Sequence, residues 1–278
     1  MMKKKLPPYQ VVYEDNHLLI INKEPGVLVQ SDRTGDESLV EMLRDYIKEK
    51  YNKPGDVFLH PVHRLDRPVS GLVVFARTSK ALERMNEIFR KRQVQKTYWA
   101  VVRKKPPQKS DKLVSWLVKD ELKNQVSTHT HEVPGSQRAE LNYRVLGKIN
   151  EHYLLEVEPL TGRPHQIRAQ LAEIGCPIRG DMKYGYDRET PDKKIYLHAR
   201  RLYFMHPVKP SGSPERPIIC KAGVPRDAFW EEFLELDQIR KISRIKILIF
   251  FTDTEQHKTS RGEHKSQKTY DHCQMTRV

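Results

Sequence analysis

The chain has 278 residues, with 50 Lys+Arg against 36 Asp+Glu, so its formal net charge is +14. Its longest wholly apolar runs, Leu72–Ala76 and Ile247–Phe251, fall far short of the roughly 20 residues a membrane-spanning helix needs, so no membrane role is expected. Three scattered cysteines with no C-x-x-C pair argue against a disulfide scaffold or a Cys-rich zinc site and favour a reducing, cytoplasmic setting. The charge excess favours a polyanionic partner, since each Lys or Arg that neutralises a phosphate releases a condensed counterion.

Residues 1–10 read as a basic lead; Leu6-Pro7-Pro8 follows the lysines where a signal peptide would need an apolar stretch. Val11–Tyr13 and Leu18–Ile21 read as two strands around the turn formers Glu14-Asp15-Asn16. Leu39, Met42, Leu43, Tyr46 and Ile47 share one helical face, with Asp36 or Ser38 placed to cap it. Leu72–Ala76 has the length of a buried strand. Ser79 is expected to cap the next helix, which carries Leu82, Met85, Ile88 and Phe89 on its apolar side and ends in Arg90-Lys91-Arg92. Thr97–Val102 follows as a strand and Arg103–Lys112 as a basic surface loop. Leu113–Lys119, Ala139–Leu146 and Tyr153–Pro159 read as strands, and Pro164–Glu173 as a short helix stopped by Gly175. Ala199–Phe204 and Pro217–Lys221 are strands again, and Asp227–Leu236 is the last helix. With no regular βαβ beat, this order predicts an α+β fold around a large mixed sheet. Periodicity dissolves beyond about residue 240, so 239–278 is expected to be a poorly ordered basic tail.

The densest polar cluster is His63-Arg64-Leu65-Asp66-Arg67-Pro68-Val69-Ser70-Gly71, directly before a strand. A carboxylate among cations is favoured in its ionised form, as a nucleophile or base would be, although a surface ion-pair loop has the same composition. A second cluster, Thr161-Gly162-Arg163-Pro164-His165-Gln166-Ile167-Arg168, runs into a helix whose start suits an anion. Lys96-Thr97-Tyr98 places a ring at the start of a strand, and Gly180-Asp181-Met182-Lys183-Tyr184-Gly185 is a further Gly-punctuated loop. His129-x-His131 has no carboxylate or Cys pattern beside it, so no metal is expected, and without a P-loop or dinucleotide fingerprint neither is a cofactor.

In their order, His63-Arg64-Leu65-Asp66 with Ser70-Gly71, Lys96-x-Tyr98, Gly162-Arg163-x-His165-Gln166-Ile167-Arg168, Gly180-Asp181-x-x-Tyr184-Gly185, and Leu197-His198-Ala199 with His206-Pro207 resemble the RluA-type RNA pseudouridine synthases. The resemblance spans about residues 10–236. Val69 stands where the family usually has Thr, and Gln170 where it usually has His. It implies a pseudouridine synthase-like α+β fold, a mainly antiparallel sheet and a catalytic domain at 11–238. It also implies an isomerase that flips a uridine out of ribosomal or transfer RNA, with no cofactor. Asp66 would be the catalytic carboxylate, Arg168 its partner, and Tyr98 the ring under the uracil. Arg64 would fill the vacated stack, Leu197 would line the pocket, and His63, Arg67, Arg163, His165, Gln166 and Ile167 would hold substrate. Many relatives carry an N-terminal S4 RNA-binding domain; with about ten residues before the first strand, that module is expected to be missing and the basic catalytic domain to hold its RNA largely unaided. No obligate protein partner is expected, and a monomer is the default. An inactive RNA-binding protein on the same fold is the rival, and Asp66, Tyr98 and Arg168 together argue against it.

Overall fold

Asp15 closes the first turn: its carboxylate accepts the backbone N–H groups of His17 and Leu18, each at 2.8 Å. This turns strand β1 (Tyr9–Glu14) back onto β2 (Leu18–Lys23), whose residues are all buried. The computed structural model describes residues 6–208 and 214–236. Helix α1 (Leu39–Tyr51) starts at Ser38, whose N–H donates to the Glu41 carboxylate at 2.7 Å, and ends at Asn52 in the left-handed conformation. Strands β3 (His60–Pro61) and β4 (Ser70–Ala76) follow. Helix α2 (Ser79–Arg90) is capped by Thr78 rather than Ser79: the Thr78 hydroxyl accepts the Ala81 N–H at 3.2 Å.

The second half is mostly strand: β5 (Gln95–Val102), β6 (Ser110–Asp120), β7 (Gln125–His129), β8 (Gln137–Ile149) and β9 (His152–Pro159). The basic loop expected over 103–112 is shorter, because β6 begins at Ser110 to pair with Arg144 of β8. Helix α3 (Gln166–Glu173), a 3-10 turn at Met182–Tyr184, and strands β10 (Leu197–Met205) and β11 (Pro217–Lys221) complete the named elements. Residues 228–236 are helical. One compact unit runs Met1–Trp230 and a second Glu231–Val278, of which 231–236 are described. The expected tail, 239–278, lies outside the described residues.

The eleven strands form one sheet in the order β1-β2-β4-β10-β5-β9-β8-β6-β7, with β3 added to β4 and β11 to β10. Every pairing is antiparallel except β4 with β10, which is the α+β, mixed but mainly antiparallel sheet that the sequence predicts. A cluster formed by Leu18, Ile20, Leu72, Val74, Leu202 and Phe204 packs against Ala81 and Met85 of α2. Truncating a fully buried member such as Met85 to Ala would cost roughly 2–5 kcal/mol. Among the described residues, no helix is long and apolar enough to cross a membrane.

The parallel β4–β10 contact positions the site. It comprises two pairs, His198 opposite Ser70 and Ala199 opposite Gly71, immediately after the Asp66 turn. Gly71 lies at φ +116°, and a Cβ there would stand 2.4–2.7 Å from the Ala199 backbone, so this approach requires glycine. Beside it, buried Ser70 Oγ and His198 Nδ1 lie 2.9 Å apart. Burial holds His198 neutral, its pKa down at about 3.

Candidate active site

Asp66 sits on a tight turn closed by the Val69 N–H donating to its carbonyl at 3.0 Å. Buried Lys23 secures this turn from below. Its ammonium donates to the carbonyl oxygens of Glu24 (3.0 Å), Val27 (2.9 Å) and Arg67 (3.0 Å), while the Gly26 N–H also reaches the Arg67 carbonyl at 2.8 Å. Burial pulls the Lys23 pKa down to about 7, with the nearby Asp66 charge acting in the opposite sense. From above, the Ile195 N–H donates to the Pro68 carbonyl at 3.2 Å.

The Asp66 carboxylate meets Arg168 of α3. Arg168 Nη1 donates to Asp66 Oδ2 at 2.8 Å, although the two residues lie 102 positions apart. Arg168 is itself fixed by Asp181: Nε donates to Oδ2 at 2.7 Å and Nη2 to Oδ1 at 2.8 Å. The side chains of Arg168 and Asp181 are 7% and 1% exposed, whereas that of Asp66 is 30% exposed. Burial opposes the guanidinium charge, but two carboxylates outweigh it. The tether is on Oδ2, and the Asp66 side chain as a whole keeps partial exposure.

His165 completes this group. It is the N-cap of α3 and takes the left-handed conformation at φ 51°, a strained state for a non-glycine residue. Its Nδ1 lies 2.8 Å from the Tyr184 hydroxyl, which also accepts the Val126 N–H at 3.0 Å. His165 Nε2 lies 3.8 Å from Asp66 Oδ2. Burial lowers the His165 pKa, so the ring is neutral near pH 7. The Tyr184 ring also lies 4.9 Å from the Arg168 guanidinium carbon.

Tyr98 stands on β5 between Ala199 of β10 and Val157 of β9. Burial and the nearby Asp66 charge raise its pKa, keeping the phenol protonated. Ile167 and Leu197 are buried, the latter opposite Ala100. Arg64 is exposed, and Arg163 donates through Nε to the Arg138 carbonyl at 3.2 Å.

Three further residues expected to hold RNA also make polar contacts within the protein. His63 Nε2 accepts the Val74 N–H at 3.2 Å, its ring stacks on Phe89, and burial drops its pKa to about 3. Buried Gln166 accepts from the Thr161 hydroxyl (2.7 Å) and the Arg163 N–H (3.0 Å) and donates to the Glu140 carbonyl (2.9 Å). Arg67 bonds the Gly26 carbonyl at 2.9 Å and pairs with Asp36 at 2.7 Å. Loop polar groups need partners as much as ligands do, and here the fold supplies them. Helix α3 also starts two residues later than expected, because His165 is its cap and Pro164 lies outside it. Asp181, Tyr184 and Lys23 act at the site although the sequence gives them no distinct role; an acidic residue in a Gly-punctuated loop was the available signal for Asp181.

The described residues hold no group of three or more His, Cys, Asp or Glu side chains arranged for a metal. A carboxylate tethered through one oxygen, near a protonated phenol and a neutral imidazole, is placed as a nucleophile or base would be. The family profile described as RNA pseudouridylate synthase matches residues 17–173. This chain belongs to the RNA pseudouridylate synthase family. Its activity is accordingly that of an isomerase converting uridine to pseudouridine in RNA. It is 30% identical over 246 residues to the tRNA pseudouridine synthase C of Vibrio cholerae, covering 81% of this chain and 94% of that protein. It is 34% identical over 203 residues to the ribosomal large subunit pseudouridine synthase C of the same organism, covering 71% of this chain but 61% of that protein. In fold it is similar to human RNA pseudouridylate synthase domain containing 4, at a TM-score of 0.65 and 24% identity, covering 82% and 92% of the two chains.

Proposed function

We propose that this chain modifies a uridine in a structured RNA stem-loop, with Asp66 as the catalytic carboxylate. The observation that carries this is the tether on one Asp66 oxygen, Arg168 Nη1 to Oδ2 at 2.8 Å, on a carboxylate whose side chain stays 30% exposed. The reaction breaks the N1–C1′ bond, turns the uracil and forms a C5–C1′ bond, and the C5 proton leaves as N1 gains one, so the change is an isomerisation. Asp66 serves it as nucleophile at the sugar or as base on it. Arg168, gripped by Asp181, holds the carboxylate in place, and Tyr98 stacks under the uracil. Arg64, exposed next to the catalytic turn, fills the place of the flipped nucleotide.

Transfer RNA is the favoured target. The relative whose length is matched almost throughout is named for tRNA, while the ribosomal enzyme is matched over 61% of its length. The catalytic domain is assigned to 11–238, in a cytoplasmic protein acting as a monomer without an obligate partner. Pseudouridine mapping of total RNA with and without the gene tests this: loss of one or a few pseudouridines in tRNA is expected. An unchanged map, with no activity of the purified protein on any RNA, would overturn it.

A further inference from the structure

We propose that Lys96 is the seat of a backbone phosphate of the nucleotide that enters the cleft, so that the site grips its target at the phosphate as well as at base and sugar. This rests on the uridine-isomerising reading above. Lys96 and Tyr98 lie two residues apart on β5, so their side chains leave the same face of the strand about 7 Å apart. That separation is on the scale of one nucleotide from base to phosphate.

The surroundings of Lys96 are those of a cation awaiting a partner. The side chain is partly buried, yet among the described residues no carboxylate and no hydrogen-bond acceptor meets its ammonium. Its electrostatic neighbour is Arg92, another cation, and burial together with that repulsion lowers its pKa. A partly buried charge without a counter-charge is costly to keep, and an arriving anion removes that cost. The ammonium also lies beside exposed backbone. Nζ stands 3.5 Å from where a Cβ of residue 162 would be, and residue 162 is an exposed glycine. A Cβ there would meet the ammonium at ordinary van der Waals distance, so the glycine keeps this flank of Nζ free of a side chain. Gly162 belongs to the loop that leads through His165 into Arg168, so the seat and the Asp66 tether hang on one short segment.

Both ends of the Lys96–Tyr98 pair therefore have a ligand group to match. Tyr98 offers a ring to the uracil, and Lys96 offers three N–H donors to phosphate oxygens. With both engaged, C1′ of the ribose between them is presented to Asp66. The phosphate is that on the 5′ or the 3′ side of the target, and the test distinguishes the two.

The test uses the full chain and a synthetic stem-loop containing the mapped uridine, made with all phosphates charged or with one neutral methylphosphonate 5′ or 3′ of the target. For wild-type protein, one of the two neutral positions should weaken binding about tenfold and the other should have little effect. Lys96→Gln should bind the fully charged RNA about tenfold more weakly and be insensitive to that same methylphosphonate. Its log–log salt slope should be shallower by about 0.7–0.9, the contribution of one phosphate. Lys96→Arg should restore most of the affinity and the slope. The wild-type arm requires no substitution, so it stands even if Lys96→Gln folds poorly. Equal methylphosphonate penalties for wild type and Lys96→Gln, or indifference of the wild type at both positions, would overturn the phosphate seat while leaving the isomerase intact. Absence of pseudouridine from the wild-type reaction would instead sink the underlying function.

Discussion

Asp181→Asn removes one negative charge from the buried side of Arg168 and keeps the shape of the side chain. Breaking a buried ion pair costs about 3–5 kcal/mol, because the remaining charge is left without compensation. Arg168 keeps Asp66 as a counter-charge and Asn keeps one acceptor oxygen, so the lower end, about 3 kcal/mol, is expected. For a folding unit of 150–250 residues, each kcal/mol shifts Tm by roughly 2–4 °C, so the melting point should fall by about 6–12 °C. The effect on catalysis should exceed that on folding. With two of its three hydrogen bonds weakened, Arg168 no longer fixes Asp66 Oδ2, and a displacement of about 1 Å at a reacting group can cost 10²-fold in turnover. Thermal unfolding followed by circular dichroism, and single-turnover kinetics well below the melting point, measure the two separately. An Asp181→Asn protein that melts within about 2 °C of wild type and turns over at the wild-type rate would refute the view that Asp181 holds the guanidinium.

Tyr184→Phe keeps the ring over Arg168 but removes the hydroxyl that hydrogen-bonds His165 Nδ1 and holds that ring in place; kcat should fall about tenfold, the worth of one hydrogen bond, with KM little changed. Unchanged kcat would remove Tyr184 and His165 from the working site. Acid should destabilise the fold through His63 and His198, whose pKa values drop from 6.5 to about 3 on folding. Below pH 6.5 the unfolded chain binds protons that the folded chain refuses, so stability is complete above 6.5 and is lost as pH falls towards 3. Each histidine adds a slope approaching about 1.4 kcal/mol per pH unit. Denaturant midpoints between pH 5 and 7.5 should therefore decline on the acid side, less steeply in His198→Gln, with burial of His165 and His152 adding to the decline in both proteins; a flat profile would contradict this.

The pairing of Asp66 with Arg168 was legible through the family resemblance, because each stands in one of the motifs that carry it. The strands were legible wherever apolar residues ran together, as in Leu72–Ala76. Strand β7 was not: in Gln125–His129 only Val126 is buried, so the segment lacks the alternation that betrays a half-buried strand. Thr78 and Ser79 are equally good caps in sequence, and the choice depends on which residue takes the extended backbone at the helix start. His63 and Gln166 also have internal partners that their residue types do not reveal: Val74, Thr161 and Glu140 engage their polar atoms. Asp181 is a function of tertiary approach, since only the folding of its loop against α3 brings a carboxylate to the inner side of Arg168.

The central claim is that Asp66 carries the isomerisation, and the most direct measurement is pseudouridine formation by Asp66→Ala and Asp66→Asn on an RNA that the wild type modifies. Both proteins should fold and bind that RNA with affinities near wild type, since the Asp66 carboxylate is partly exposed and Arg168 keeps its bidentate partner Asp181. Both should form no detectable pseudouridine at enzyme concentrations and times at which the wild type converts all of its substrate. Measurable turnover by Asp66→Ala on the same RNA would contradict the assignment of the catalytic carboxylate.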